Sequence, residues 1–178
     1  MSNIGHPDYI VFDLDPHGAP FSNVRQVALV MRDELKKLKL AGYAKTSGSS
    51  GIHIYVPVRP RYGYEEVAEF AEAVSARVAE AAPKIATVER RIAERKKGQV
   101  YVDWQQNARG KSAAAVYSVR AKPGATVSTP VTWQEIARGI EIADFTIKTL
   151  PQRLKKRGDL WKAMFKDRQA LPRLKREQ

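Results

Sequence analysis

Short alternating apolar runs and longer runs of helical period follow one another along the chain in the order strand, helix, strand pair, helix, strand. Tyr9-Ile10-Val11-Phe12 favours a strand and leads directly into Asp13-Leu14-Asp15-Pro16. After the loop His17-Gly18-Ala19-Pro20, Ser22 is placed to cap a helix with Val24, Val27, Ala28, Met31, Leu35 and Leu38 on one face. Lys36, Lys37 and Lys39 suit the C-terminal end of its dipole, and Gly42 is placed to end it. Residues 43–58 predict a hairpin: Tyr43-Ala44-Lys45-Thr46, a Gly/Ser loop, then Ile52, Ile54, Val56 and Val58 alternating with His53 and Tyr55. Val67, Phe70, Ala71, Val74 and Val78 predict a second amphipathic helix that Pro83 stops.

Farther on, Val100-Tyr101-Val102-Asp103-Trp104 predicts a strand, and 105–111 a polar loop. Ala113 to Arg120 is read as a strand and Lys122-Pro123-Gly124-Ala125 as a turn. Thr132 with Glu135 matches a capping box for a helix over Trp133, Ile136, Ala137 and Ile140. Thr149-Leu150-Pro151 opens another helix that Gly158 ends, and 159–178 reads as a short docked helix running into a basic, fraying tail. The 178 residues suffice for a single domain with its own core, and no repeat or linker divides them.

Charge changes this picture because it is segregated. Residues 84–122 and 151–178 each carry ten Lys/Arg against three acids, whereas 1–83 and 123–150 each sum to −1 within a net charge of +12. Such patches point to a polyanionic partner, nucleic acid before an anionic membrane, since no apolar face accompanies the tail. No apolar run approaches the ~20 residues that span a bilayer. Cysteine is absent, which removes disulfide and thiolate chemistry and fits a cytosolic protein.

The candidate chemistry sits at strand ends. Side chains at i and i+2 of a strand project from one face about 7 Å apart, so Asp13 and Asp15 stand side by side. Adjacent carboxylates repel unless a cation lies between them, and hard oxygen ligands suit Mg²⁺ or Mn²⁺. Asp103, at the end of another strand, would supply a third ligand; capping and turn roles are the competing reading of all three. Ser47-Gly48-Ser49-Ser50-Gly51 offers amides and hydroxyls for an anion, with His53 just beyond it; the alternative is a flexible hairpin loop.

In this order the segments resemble the archaeo-eukaryotic primase superfamily, most closely the polymerase domain of bacterial ligase D. The resemblance rests on the strand ending in Asp13-Leu14-Asp15, on Ser47-Gly48-Ser49-Ser50-Gly51-Ile52-His53, and on Asp103-Trp104-Gln105-Gln106-Asn107-Ala108-Arg109-Gly110. It extends through Tyr117-Ser118-Val119-Arg120-Ala121-Lys122-Pro123-Gly124-Ala125, and covers about residues 8 to 140. It implies an α+β fold, an RRM-like antiparallel or mixed sheet packed with helices in a primase-type catalytic core. It also implies transfer of NTPs or dNTPs to a DNA 3′-OH with two Mn²⁺ or Mg²⁺ ions, in end filling during non-homologous end joining.

By that resemblance Asp13, Asp15 and Asp103 are the catalytic metal ligands, and Ser47, Gly48, Ser49, Ser50, Gly51, His53, Lys96 and Arg120 the nucleotide-binding residues. Lys45, Arg95, Lys97, Arg109 and Lys111, which flank the motifs, are the candidate DNA contacts. Implied partners are DNA, Ku, a DNA ligase, or a separate chain supplying a lobe that precedes the first motif in the family; only eight residues precede Tyr9 here. The implied location is the cytoplasm, at the nucleoid. Ser50 stands where the family has Lys or Arg, Lys96 where it has Arg, and Trp104 where it has Tyr; lysine keeps the charge at 96 but not the two-pronged geometry.

Two rivals remain. Haloacid-dehalogenase-type phosphatases also carry a strand followed by D-x-D, but expect Thr or Val where His17 stands. A non-catalytic RRM-like nucleic-acid-binding module or accessory subunit would use the basic segments and Tyr55, Tyr101 and Trp104 for charge and stacking.

Overall fold

The computed structural model describes residues 4–174. Six strands form one mixed sheet: β1 (Tyr9–Asp15), β2 (Tyr43–Thr46), β3 (Ile52–Pro57), β4 (Ala86–Thr87), β5 (Val100–Asp103) and β6 (Pro130–Val131). Their spatial order is β4-β5-β1-β3-β2-β6, antiparallel throughout except for the parallel β4–β5 pair. The helices are α1 (Phe21–Lys37), α2 (Tyr64–Ala81), α3 (Trp133–Arg138) and α4 (Leu150–Arg157). The succession β1-α1-β2-β3-α2-β5 is a split βαβ arrangement, with β4 and β6 added at the two edges.

Alternation decides the layers. Ile10, Phe12, Leu14, Ile52, Ile54 and Val56 project from one face into a core shared with Val24, Val27, Met31 and Leu35 of α1 and Val67, Ala71, Val74 and Val78 of α2. Residues between them project from the opposite face, where Val11 and Tyr55 form a second small cluster with Trp161 and Met164. α1 and α2 therefore cover the other face, and Asp13 and His53 lie on this front one.

Several expected details differ. α1 begins one residue before Ser22, with Pro20 at its N-cap and no side-chain cap bond, so the fixed φ of proline rather than a hydroxyl sets its start. Its exit is made by Lys39, in left-handed conformation at φ +57°. Gly42 serves packing instead: a Cβ there would lie 2.9 Å from Leu35 Cδ1. Residues 113–120 form no strand. Tyr117 has φ +65°, and only an isolated bridge joins Val119 to Val127, so the segment crosses the front of the sheet as an irregular loop. Trp161 to Lys166 folds as successive turns rather than a helix, and the last residues of the expected tail, 175–178, lie outside the described residues. The capping box at Thr132–Glu135 forms, with Thr132 Oγ1 accepting from the Glu135 amide at 3.2 Å.

Candidate active site

Register builds the site. Lys45 on β2 pairs with His53 on β3, His53 pairs with Asp13 on β1, and Asp13 pairs with Asp103 on β5. Cross-strand partners share a face, so Lys45, His53, Asp13 and Asp103 form one row across four adjacent strands. Asp15, two residues beyond Asp13, continues the same face opposite Tyr101.

Asn107 fixes the middle of this row. β1 pairs with β5 only over Asp13–Asp15, and upstream the buried Asn107 side chain replaces the missing strand. Its Oδ1 accepts from the Val11 amide and its Nδ2 donates to the Val11 carbonyl, both at 2.8 Å. Reading 105–111 as a polar loop missed this role, because a side chain acting as strand leaves no periodic signal.

A cleft of about 240 Å³ opens over the Asp13–His53 part of the row, lined by Asp13, Asp15, Ser47, Ser49, Ser50, Gly51, His53 and Arg120; Asp103 does not line it. Ser112, Ala113 and Ala114 form a further wall with Leu14, the two alanines falling where a strand was expected. Gly51 sits against β1 so closely that a Cβ would fall 2.3 Å from the Leu14 carbonyl oxygen. Gly48 has φ +69°, and a Cβ on it would meet the Ser128 amide at 2.7 Å.

The loop differs from an open anion cradle. Ser47 Oγ accepts from the amides of Ser49, Ser50 and Gly51 at 3.1, 3.2 and 2.9 Å, so those donors are turned onto the loop's own hydroxyl. The cations facing the cleft come from elsewhere. Arg120 donates through Nη1 to the Ser47 carbonyl at 2.9 Å, which pins its guanidinium beside the loop.

Electrostatics in the row follow from burial and crowding. Burial, then Asp103, then Asp15 push the Asp13 carboxyl up to about 7, against the opposing pull of Lys45 and Arg120. Burial brings the Lys45 ammonium down to about 7 despite the attraction of Asp13. Burial, Lys45 and Arg120 together bring His53 down to about 3, so the imidazole is neutral near pH 7. Its 3.4 Å approach to Asp13 Oδ1 is accordingly a neutral contact rather than an ion pair.

The three carboxylates are adjacent but do not close on a common point, and among the described residues no three acidic, His or Cys side chains converge as a ready ligand set. Asp103 is turned toward its own loop, accepting from the Gln105 amide at 2.8 Å and from Gln106 Nε2 at 3.1 Å. The donor set still fits a hard divalent cation: the oxygens come from carboxylates on neighbouring strands, and Asp13 carries repulsion from both others that such an ion would relieve.

The expected DNA contacts divide. Lys45 is a correction: it has no exposed surface, because its Nζ is bonded inside the protein to His53 and Ser128, and it cannot reach a DNA strand. Arg95 is half-buried, stacked 3.8 Å from the Tyr101 ring centroid and donating to the carbonyls of Glu89 and Arg90. It lines a larger cleft of about 790 Å³ with Arg90, Arg91 and Gln105, which contains none of the three aspartates. Lys96, Lys97, Arg109 and Lys111 are exposed, and Lys96 does not line the cleft over the row.

The chain is similar to known proteins along most of its length. The family model described as the LigD primase-polymerase domain matches residues 1–161. The chain is 35% identical over 159 residues to the multifunctional non-homologous end joining protein LigD of Pseudomonas aeruginosa, covering 86% of this chain and 18% of that protein. It is 36% identical over 157 residues to the bifunctional LigD of Bacillus subtilis, covering 85% and 25%. The chain thus spans a quarter or less of these relatives. A solved polymerase domain of Mycobacterium tuberculosis ligase D, in complex with DNA, shares the fold at a TM-score of 0.83 and 31% identity over 93% of this chain and 57% of that one. Matched along most of its length in both sequence and backbone, the chain belongs to the LigD primase-polymerase domain family.

Proposed function

We propose that this chain is a primase-type nucleotidyltransferase core that adds NTPs or dNTPs to a DNA 3′-OH during non-homologous end joining, with end filling as its task. The observation that carries the reading is one cleft lined by Asp13, Asp15, His53 and Arg120, with Asp103 paired to Asp13 on the next strand. In the transfer, the 3′-oxygen forms a bond to the α-phosphorus, the bond to the leaving pyrophosphate breaks, and the hydroxyl proton passes to solvent. Asp13, Asp15 and Asp103 would hold Mn²⁺ or Mg²⁺, which when bound supplies Lewis-acid activation of the hydroxyl and charge stabilisation of the leaving group.

The residues on the cleft wall divide the remaining work. His53 and the Arg120 guanidinium offer donors to phosphate oxygens. Gly48 and Gly51 let the hairpin loop approach β1 and the segment before β6, so a triphosphate can lie directly over the carboxylates. Exposed Lys97, Arg109 and Lys111 provide backbone-level, sequence-independent attraction for DNA, and Lys96 a further cation for phosphate.

On this reading residues 1–178, including the basic segment from 159, act as one catalytic unit beside Ku, a ligase and the rest of a polymerase domain. Its place is the nucleoid. Among the described residues no helix is long and apolar enough to cross a membrane.

The test is extension of a labelled primer on a gapped or overhanging template, with NTPs or dNTPs and Mn²⁺, comparing wild type with Asp13→Ala/Asp15→Ala. Extension by wild type alone supports the reading. Metal-dependent nucleotide binding without extension assigns the chain to a split enzyme completed by a partner. Absence of both extension and metal-dependent nucleotide binding overturns it in favour of a non-catalytic nucleic-acid-binding module.

A further inference from the structure

Lys45 is buried without trace of exposure at the inner end of the row, where an apolar side chain of its volume would avoid the cost of burying an ammonium. Its surroundings specify a direction. Ser128 Oγ, also fully buried, donates its one proton to the Thr46 carbonyl at 2.8 Å and so presents a lone pair to Lys45 Nζ, 2.8 Å away. Below pH 7 the group is an ammonium with no lone pair of its own, so at 3.0 Å from His53 Nδ1 it can only donate there. Nδ1 is then an acceptor, and the imidazole proton must sit on Nε2, the atom directed toward Asp13 and the cleft.

We infer that Lys45 is a positioning residue for His53: with Ser128 it locks the imidazole in the Nε2–H tautomer and aims that donor into the cleft. The inference deepens the proposed nucleotide site and rests on that reading for its consequence, a hydrogen bond from His53 to a phosphate oxygen. The chain of bonds, Thr46 carbonyl to Ser128 to Lys45 to His53, lies wholly inside the fold and needs no ligand to set it. Without Lys45, Nδ1 loses its donor and either ring nitrogen can carry the proton; the tautomer with Nε2 bare would set a lone pair against phosphate oxygens.

Two readouts on the full chain test this. Long-range ¹⁵N–¹H correlation of the histidine rings, assigned by the signals lost in His53→Gln and recorded at about pH 6 without metal or nucleotide, where Lys45 is charged and His53 neutral, reports the tautomer directly. Wild type should show protonated Nε2 and bare Nδ1, and Lys45→Met a mixture of both tautomers. ATP binding in the presence of Mn²⁺ should weaken about tenfold in Lys45→Met, as for one oriented hydrogen bond lost to a charged group. Lys45→Met should then add nothing to His53→Gln in the double variant.

A protonated Nδ1 in wild type, an unchanged ring spectrum in Lys45→Met, or additive losses in the double variant would overturn the inference. Should Lys45→Met not fold, Ser128→Ala removes the acceptor that aims the lysine and should mix the tautomers too; an unmixed spectrum there overturns it equally. Failure of wild type to bind ATP would sink the nucleotide reading instead, while leaving the tautomer result to stand on its own.

Discussion

Asp13 on β1 lies directly opposite Asp103 on β5, while on its other side it lies opposite His53 on β3. One carboxylate thus shares the centre of the sheet with a second carboxylate and a neutral imidazole, and neither is a counter-charge. The positive groups that pull against this are Lys45 and Arg120, and they do not offset burial and repulsion. That imbalance is what a bound divalent cation would correct.

Metal should therefore stabilise the fold through these side chains. Mn²⁺ at saturating concentration is expected to raise the Tm of wild type and leave Asp13→Ala/Asp15→Ala unmoved, as read by differential scanning calorimetry with an EDTA reference. The same double variant should lose primer extension by more than about a hundredfold, beyond the 10–100-fold typical of changes to groups that merely support metal ligands. Equal Mn²⁺ shifts in both proteins would place the ion elsewhere.

Stability of the metal-free protein should depend on pH through Asp13. Its pKa is raised on folding from 3.8 to about 7, so the folded state holds the proton more tightly and stability falls as pH climbs through that window. Asp13→Asn removes the penalty. Its Tm should exceed that of wild type at pH 8 by a few degrees, since about 1 kcal/mol moves Tm by roughly 2–4 °C in a domain of this size. The gap should close as pH falls toward 4. A gap that stays constant across this range would deny the shift.

Much of this arrangement is legible in the sequence because it rides on periodicity. Alternation in β1 and β3 puts Asp13 and His53 on the face opposite Phe12 and Ile54, and the two amphipathic helices announce which face they cover. What escapes is set by pairing rather than pattern. The residues flanking Lys45 give it the look of an outward cation, and only its register with His53 and Ser128's hydroxyl reveal a buried one. Ser112 to Ala114 join the cleft because the chain after Gly110 crosses the sheet without a strand, a path dictated by contacts at Tyr117 and Ser128 far along the sequence. The two-residue β4 and β6 are likewise edge pairings, too short to carry a period of their own.

Gly51 in the hairpin loop and Gly98 before β5 make separable predictions. Gly51→Ala places a Cβ 2.3 Å from a backbone oxygen of β1, which cannot yield as a flexible side chain would. A loss of about 1–3 kcal/mol is expected, together with weakened nucleotide binding because Ser47 and His53 flank the displaced segment. Gly98→Ala, at φ +86° with open space around it, should cost about 1–2 kcal/mol from backbone strain alone. Its nucleotide affinity should equal that of wild type. Urea unfolding and ATP titration of the two variants together check this.

The region beyond β6 is held by a different electrostatic device, and it should fail at low pH. Glu135 caps α3, and Arg153 of α4 grips it through two nitrogens at 2.6 and 2.8 Å while also donating to the Pro130 carbonyl of β6 at 2.9 Å. Burial works to raise the Glu135 carboxyl, but the bonds from Arg153 and Thr132 prevail and hold it at about 2, against an ordinary 4.5. A carboxyl depressed on folding contributes stability that is present above its unfolded value and is lost as pH falls through the window from 4.5 toward 2. Glu135→Gln forfeits this contribution at neutral pH and leaves a nearly buried guanidinium without its charge partner. The variant's Tm should fall below wild type at pH 7 and converge on it as pH approaches 2. Arg153→Met should lower Tm at neutral pH as well, and it should also loosen α4 from β6. Hydrogen exchange at the α4 amides would register that loosening, and their unchanged protection would show that α4 is held by its apolar contacts alone.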